Sequence, residues 1–165
     1  MKEIDQLLPL DRVDLRILAL LQADASLTNQ SLAAKAHVSP ATCLRRMRRL
    51  LDTGVIARRV AVLDPAAIGQ PLEVVCEVTL DRQGVEHLDA FESRAVAHAA
   101  VRQCYRVSPG PDFVLFASVR DMPAWSEVVS SLLTQDANVR NVKSFFCVRR
   151  AKFETSYDLA GAPAG

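Results

Sequence analysis

Two periodicities divide the chain. From Asp11 to about residue 54, apolar residues recur at the three- and four-residue spacing of helices. From Leu72 onward they alternate with polar residues at period two, interrupted by two further helical stretches. Asp11 suits an N-cap, with Asp14 in the first turn, where the helix dipole favours an acid; Val13, Ile17, Leu20 and Leu21 then share one face. After a break at Asp24-Ala25-Ser26, Thr28 caps a short second helix through Leu32, Ala33 and Ala36. His37-Val38 forms a tight turn. Ser39-Pro40 then restarts the chain with a capping hydroxyl and a proline at the first helical position, where its missing N–H is harmless. The third helix runs to Thr53-Gly54, where glycine suits a left-handed C-cap, and a strand follows. Three helices, the second and third joined tightly, predict a helix-turn-helix of the winged type.

Leu72, Val74, Cys76, Val78 and Leu80 alternate with Glu73, Glu77, Thr79 and Asp81, which predicts a half-buried strand. A helix follows with Val85, Leu88, Phe91 and Ala95 inward. Next come a strand over Val101–Val107, a break at Ser-Pro-Gly-Pro, and a strand from Phe113. Asp121 and Pro123 open a second helix carrying Trp125, Val128, Val129, Leu132 and Leu133, and a last strand covers Val142–Val148. The order β-α-β-β-α-β predicts a ferredoxin-like sandwich with both helices on one sheet face, so the fold class is α+β. The segments FVLFASV and SFFCV are apolar on both faces, more than one helical layer can bury. A second copy stacked sheet to sheet through Phe116 and Phe146 answers that excess and makes a homodimer. The expected layout is a DNA-binding domain over 1–60, a hinge over 61–71 containing LDPAAIGQP, a sandwich over 72–158 and a disordered small-residue tail over 159–165.

Charge changes the picture only when it is divided. The net charge of +1 argues against nucleic acid as a partner. Residues 1–60, however, hold ten Lys or Arg against six acids, and the remainder ten against thirteen, so a +4 part is joined to a −3 part. All nine aromatics lie at or beyond Phe91, which excludes stacking on unpaired bases as the task of the first part. In the third helix, Pro40, Cys43, Leu44, Met47, Leu50 and Leu51 occupy one arc and are expected to be buried. Thr42, Arg45, Arg46 and Arg49 gather opposite, with Ala41 and Arg48 at the edges. Charge runs are usually solvated faces, but those interleave acids four residues away, and this one has none before Asp52. In a helix-turn-helix, Ser39, Ala41, Thr42, Arg45 and Arg46 stand at the end that enters a major groove. Arg49 and Lys35 are placed for phosphates, with Arg58 and Arg59 as further candidates.

The four cysteines lack metal-ligand spacing and read as packing thiols in a reducing, cytoplasmic setting. The start of the chain carries acids and no apolar leader, and no stretch approaches the length of a membrane span. No cofactor is implied. His87, His98 and Cys104 fall in unrelated elements, and neither a glycine-rich phosphate loop nor an HExxH is present, so catalysis is not expected. The remaining alternative is a stand-alone sensing or oligomerisation module, which the arginine-faced helix opposes.

The stretches LDRVDLRIL, SPATCLRRMRRLLDTGVI, VAVLDPAAIG and VRDMPAW together resemble the leucine-responsive and asparagine-synthesis regulators (Lrp/AsnC), or feast/famine proteins, over about Leu10 to Asp158. The resemblance implies a transcription regulator that binds double-stranded DNA, responds to an amino acid or related small molecule, and assembles as dimers or as four dimers in an octamer. It also implies an effector pocket at a loop of the form V-S/T-G-x-Y/F-D, matched here by Val107–Phe113. Ser108, Asp112 and Phe113 fit that pattern, but Pro109 stands in place of the glycine, with Gly110 after it. Proline withdraws a backbone donor that a carboxylate ligand would use, so Ser108, Pro109, Gly110 and Asp112, with Ser144 as a candidate wall, are expected to form a pocket of altered specificity or one that no longer takes a typical amino acid. His37, at a turn where the family commonly has glycine, reads as a tolerated turn residue.

Overall fold

The computed structural model describes residues 9–134 and 138–161, and the acidic start of the chain lies outside them. The chain divides into two compact units, Met1–Ala61 with Lys152–Gly165, and Val62–Ala151.

In the first unit, α1 (Arg12–Ala23), α2 (Asn29–Ala36) and α3 (Pro40–Asp52) begin at side-chain caps. Asp11 accepts from the Val13 and Asp14 backbone N–H groups, Thr28 from Ser31, and Ser39 from Thr42. Ile17, Leu18, Leu32, Ala33, Ala36, Cys43, Met47 and Leu50 form the core. Two polar ties set the helix-turn-helix geometry. Arg16 donates to the Ala36 carbonyl at the end of α2 (2.8 Å), and Asn29 donates to the Pro40 carbonyl at the start of α3 (2.9 Å). His37 ends α2 in the left-handed region, at φ 57° and ψ 47°.

Two expectations for this unit are corrected. Pro40, Leu44 and Leu51, placed in the buried arc from the sequence, are exposed, the two leucines at 41% and 42%. The strand expected beyond Gly54 forms no ladder among the described residues, and Val60 and Val62 are exposed, because extended backbone becomes a strand only against a partner. A third difference concerns the C-terminus. Residues 152–161 belong with the helical unit rather than with the sandwich. Tyr157 holds both faces of the Gln22 side-chain amide, receiving its N–H at 3.1 Å and donating to its oxygen at 2.7 Å. Leu159, expected to lie in a disordered tail, packs on the helical core, while 162–165 fall outside the described residues.

The second unit is a four-stranded antiparallel sheet in the order β2-β3-β1-β4, with β1 Leu72–Leu80, β2 Val101–Arg106, β3 Phe113–Val119 and β4 Val139–Phe146. Helix α4 (Val85–Ala97) joins β1 to β2. Helix α5 (Met122–Val128), capped by Asp121 and continued by a π-helical turn over Val129–Thr134, joins β3 to β4. Val74, Cys76, Val78 and Leu80 of β1 and Phe113, Leu115, Ala117 and Val119 of β3 pack against Phe91, Ala95, Trp125, Val128, Leu132 and Leu133. Val85, expected inward, is exposed at the start of α4. Strand β4 begins earlier than the sequence suggests because its partner dictates its length: Val139 pairs with Leu80 and Phe146 with Val74.

His37→Gly is expected to raise the unfolding free energy of the protein by about 0.5–1 kcal/mol, since glycine adopts the left-handed C-cap without a Cβ penalty. Thermal unfolding of the two proteins checks this.

Candidate DNA-reading helix and effector loop

The four arginines of α3 form two ridges. Residues three apart on a helix lie about 60° apart around its axis, so Arg45 pairs in direction with Arg48, and Arg46 with Arg49. The second ridge turns toward α1. Asp14 has no solvent exposure, and its carboxylate accepts from Arg46 Nη1 at 2.9 Å and from Arg49 Nη2 at 2.5 Å. Arg46 Nη1 also donates to Asp11 at 2.6 Å, while the second carboxylate oxygen of Asp14 closes the capping box on the Asp11 N–H. The carboxyl of Asp11 is held below its ordinary 3.8 by the Asp14 backbone N–H and then by the Arg46 guanidinium. Its contribution to stability is therefore present above that value and lost as the pH falls through the lower, folded one.

This ionic anchor explains the rotation of α3. The helix seats Cys43, Met47 and Leu50 on the core together with the inner ridge. Leu44, about 100° round from Cys43, is carried out to solvent. The side chain of Arg46, expected at the groove, is only 20% exposed. Arg45 and Arg48 are exposed and make no ion pair among the described residues. Ser39 and Thr42 are joined through their hydroxyls at 2.9 Å as part of the cap, Ala41 lies on the outer face, and Lys35 is exposed in the last turn of α2. Of the further phosphate candidates, Arg58 and Arg59 are both exposed, and Arg59 reaches back toward the Met47 sulfur. Sequence reasoning read Asp14 only as a first-turn acid. The missed signal was its position three and four residues before Ile17 and Leu18, on the core stripe.

In the second unit the loop between β2 and β3 exposes Ser108, Pro109 and Gly110. Gly110 takes φ +123°, where any side chain would be strained, although nothing lies within 4 Å of the position a Cβ would take. Asp112 closes the loop onto the sheet. Its carboxylate accepts from the Leu80 N–H at 2.7 Å, its own N–H donates to Val78, and its carbonyl accepts from Val107. Phe113 is a core residue, its ring 4.8 Å from that of Phe91 and beneath the Arg106 guanidinium, which pairs with Asp89 and Glu92 on α4. Ser144 is not gathered with the loop. It sits opposite Cys76 in β4, across β1 from β3, and no hydrogen bond joins it to the loop among the described residues. Burial pushes the Cys76 thiol up to about 11, with a hydrogen bond from Ser144 acting the other way.

The sheet face away from the helices carries Val75, flanked by Phe116 and Phe145, with Tyr105 edge-on to Phe116 at 5.9 Å between ring centres. Phe146 is corrected here. Paired with Val74, it points to the helix side, so Phe116 and Phe146 lie on opposite faces and Phe145 is the residue beside Phe116.

Asp14→Ala leaves two partly buried guanidinium groups without their shared carboxylate. The expected loss is about 3 kcal/mol, the lower end of the range for broken buried pairs because water reaches Arg49. Urea unfolding monitored by circular dichroism measures it.

Similarity to known proteins follows the two units. A winged helix-turn-helix DNA-binding model matches residues 10–57, and an Lrp/AsnC ligand binding domain model matches 73–157. The chain is 35% identical over 150 residues to an uncharacterized HTH-type transcriptional regulator of Haemophilus influenzae, covering 91% of this chain and 89% of that one. It is also 35% identical over 143 residues to the leucine-responsive regulatory protein of Rhizobium meliloti, covering 87% and 92%. Among solved structures, a transcriptional regulator from Neisseria meningitidis in complex with L-Met superposes with a TM-score of 0.86 at 30% identity, covering 92% of this chain and 97% of that one. An AsnC family regulator from Agrobacterium tumefaciens gives 0.85 at 31% identity, covering 91% and 97%. With both domains matched and relatives of this identity along most of its length, the chain belongs to the Lrp/AsnC family of DNA-binding transcriptional regulators.

Proposed function

We propose that this protein is a sequence-specific regulator whose hold on promoter DNA responds to an amino acid or a closely related metabolite, and that it acts by binding rather than by catalysis in the cytoplasm. The outer face of α3, arginine-bearing and set by a helix-turn-helix scaffold, is the observation that carries the reading. The reader spans about residues 1–60, to which the segment from Lys152 returns, with the hinge at 61–71 and the sensing sandwich from 72 to about 151. Ser39, Ala41, Thr42 and Arg45 enter the major groove, while Lys35 and the solvent edge of Arg49 lie toward phosphates. The contacts of Arg46 with Asp11 and Asp14 favour an anchoring role for it.

The effector site is built on Ser108, Pro109 and Gly110, with Asp112 holding their loop in place. The L-Met complex of the Neisseria meningitidis relative supports an amino-acid class of ligand. Pro109 supplies no N–H to a ligand carboxylate, which favours a specificity unlike that of relatives with glycine there. The exposed ring of Phe116, flanked by Val75 and Phe145 on the uncovered face, supports a sheet-to-sheet homodimer, and four such dimers make the octamer of this reading.

Two outcomes test these proposals. Gel-shift titration against the promoter of its own operon, at several salt concentrations and with single amino acids added, is expected to show a specific complex whose midpoint at least one amino acid moves. Binding no tighter to that promoter than to random DNA rejects the regulator reading, and a midpoint unmoved by every amino acid rejects the effector class. Phe116→Lys is expected to release monomers in sedimentation velocity, whereas Phe146→Lys, on the other face, leaves the assembly intact.

A further inference from the structure

The inner and outer ridges of α3 differ in more than direction. Arg46 and Arg49 direct their guanidinium groups to Asp14, and both Nε atoms are buried without a hydrogen-bond partner among the described residues. Arg45 and Arg48 are exposed and carry no ion pair among the described residues. Beside them lies Leu44, one of two exposed leucines of the helix with Leu51, while Cys43, Met47 and Leu50 are fully or almost fully buried. Ala41 extends the same surface toward the N-terminus, so Ala41, Leu44, Arg45 and Arg48, with the solvent edge of Arg49, line one shallow concave strip. At its far end stands Asp52, the one acid of the helix, which phosphate would repel.

We propose that Leu44 and Arg48 are base-reading residues of α3 alongside Ala41 and Arg45, and that Arg46 is a positioning residue that does not touch DNA. This assignment rests on the regulator reading above. The chemistry of the strip matches the edges of base pairs in the major groove. An arginine fork reads guanine O6 and N7 with two hydrogen bonds, and an apolar side chain meets the thymine methyl group. A leucine beside two arginines that make no ion pair fits a thymine next to a guanine. Asp52 marks where the DNA-facing surface ends, so reading is confined to the first nine residues of the helix, from Pro40 to Arg48. An inward-facing Arg46, by contrast, fixes the angle at which this strip is presented, because it ties α3 to the capped start of α1 at both Asp11 and Asp14.

Selection of sites from a randomised double-stranded pool by the full chain, and by its Leu44→Ala, Arg48→Ala and Arg46→Ala variants, separates these roles. Leu44→Ala is expected to erase a preference for thymine at one position of each half-site and leave the others. Exchange of that thymine for deoxyuracil is expected to weaken the wild type about fourfold, the value of one buried methyl, and to leave Leu44→Ala unchanged. Arg48→Ala is expected to lose one guanine preference, with a loss of about 5- to 150-fold on the wild-type site and little change on random DNA. Arg46→Ala is expected to keep every base preference while its affinity for all sequences and its unfolding midpoint fall together. Circular dichroism confirms that the two outer-face variants are folded, as substitution at exposed positions should allow. A wild-type site whose preferences survive both Leu44→Ala and Arg48→Ala overturns the assignment while leaving the regulator reading intact. So does a base preference that only Arg46→Ala removes. Enrichment of no site by the wild type overturns the regulator reading itself, and this assignment with it.

Discussion

A carboxylate with no solvent exposure, Asp14, is the constraint on which the helical unit depends. It sits on the core stripe of α1, three and four residues before Ile17 and Leu18, and is compensated by Arg46 and Arg49 from α3 and by the Asp11 backbone N–H. A buried charge persists only when its partners are in place, so this group rejects other rotations of α3 more strongly than an apolar contact would. Hydrophobic burial alone prefers α3 turned to cover Leu44 and Leu51. The ionic anchor turns it the other way, and the leucines stay in water. One consequence is structural economy in a short motif: the same RRMRR run supplies the anchor from one ridge and exposed cations from the other.

The sandwich is governed by a different constraint. Helices α4 and α5 cover one sheet face, and the sheet needs no further layer to complete that core. On the other face Val75, Phe116, Phe145 and Tyr105 remain, edged by ion pairs of Glu73 with Arg150 and of Glu77 with Lys143. An apolar centre within a charged rim is the anatomy of a protein–protein interface. The loop that carries Ser108–Gly110 is held to this same sheet by Asp112, which bonds to Val78 and Leu80 of β1. After the last strand the chain leaves the sandwich, and the segment that follows docks on α1 through Tyr157 and Gln22. The helical unit is therefore built from two separate stretches of sequence, the chain up to Ala61 and the segment from Lys152.

Much of the architecture was legible because it follows from local rules. The caps at Asp11, Thr28, Ser39 and Asp121, the left-handed Gly54 after α3 and the alternation through β1 depend on residues within a few positions of one another. The candidate site was legible in part. That the candidate reading helix is Pro40–Asp52 is visible in the charge run and the proline-led cap; which arginines face outward is not, because that depends on an acid more than thirty residues away. Misplacement of Phe146 has a similar origin. In a pair of adjacent phenylalanines one must face each side of the sheet, and only the register of β4 against β1 says which.

The sequence by itself determined the element order, the two-part division of charge and the identity of the helix that carries the arginines, since periodicity, capping and composition act over short stretches of chain. The tertiary structure alone decided the rotation of α3, the faces of β4, the docking of the C-terminal segment on α1 and the separation of Ser144 from the candidate effector loop. Each of these is a choice between local conformations of nearly equal energy, settled by a partner distant in sequence: a buried carboxylate, a neighbouring strand or a side-chain amide that local pattern does not reveal.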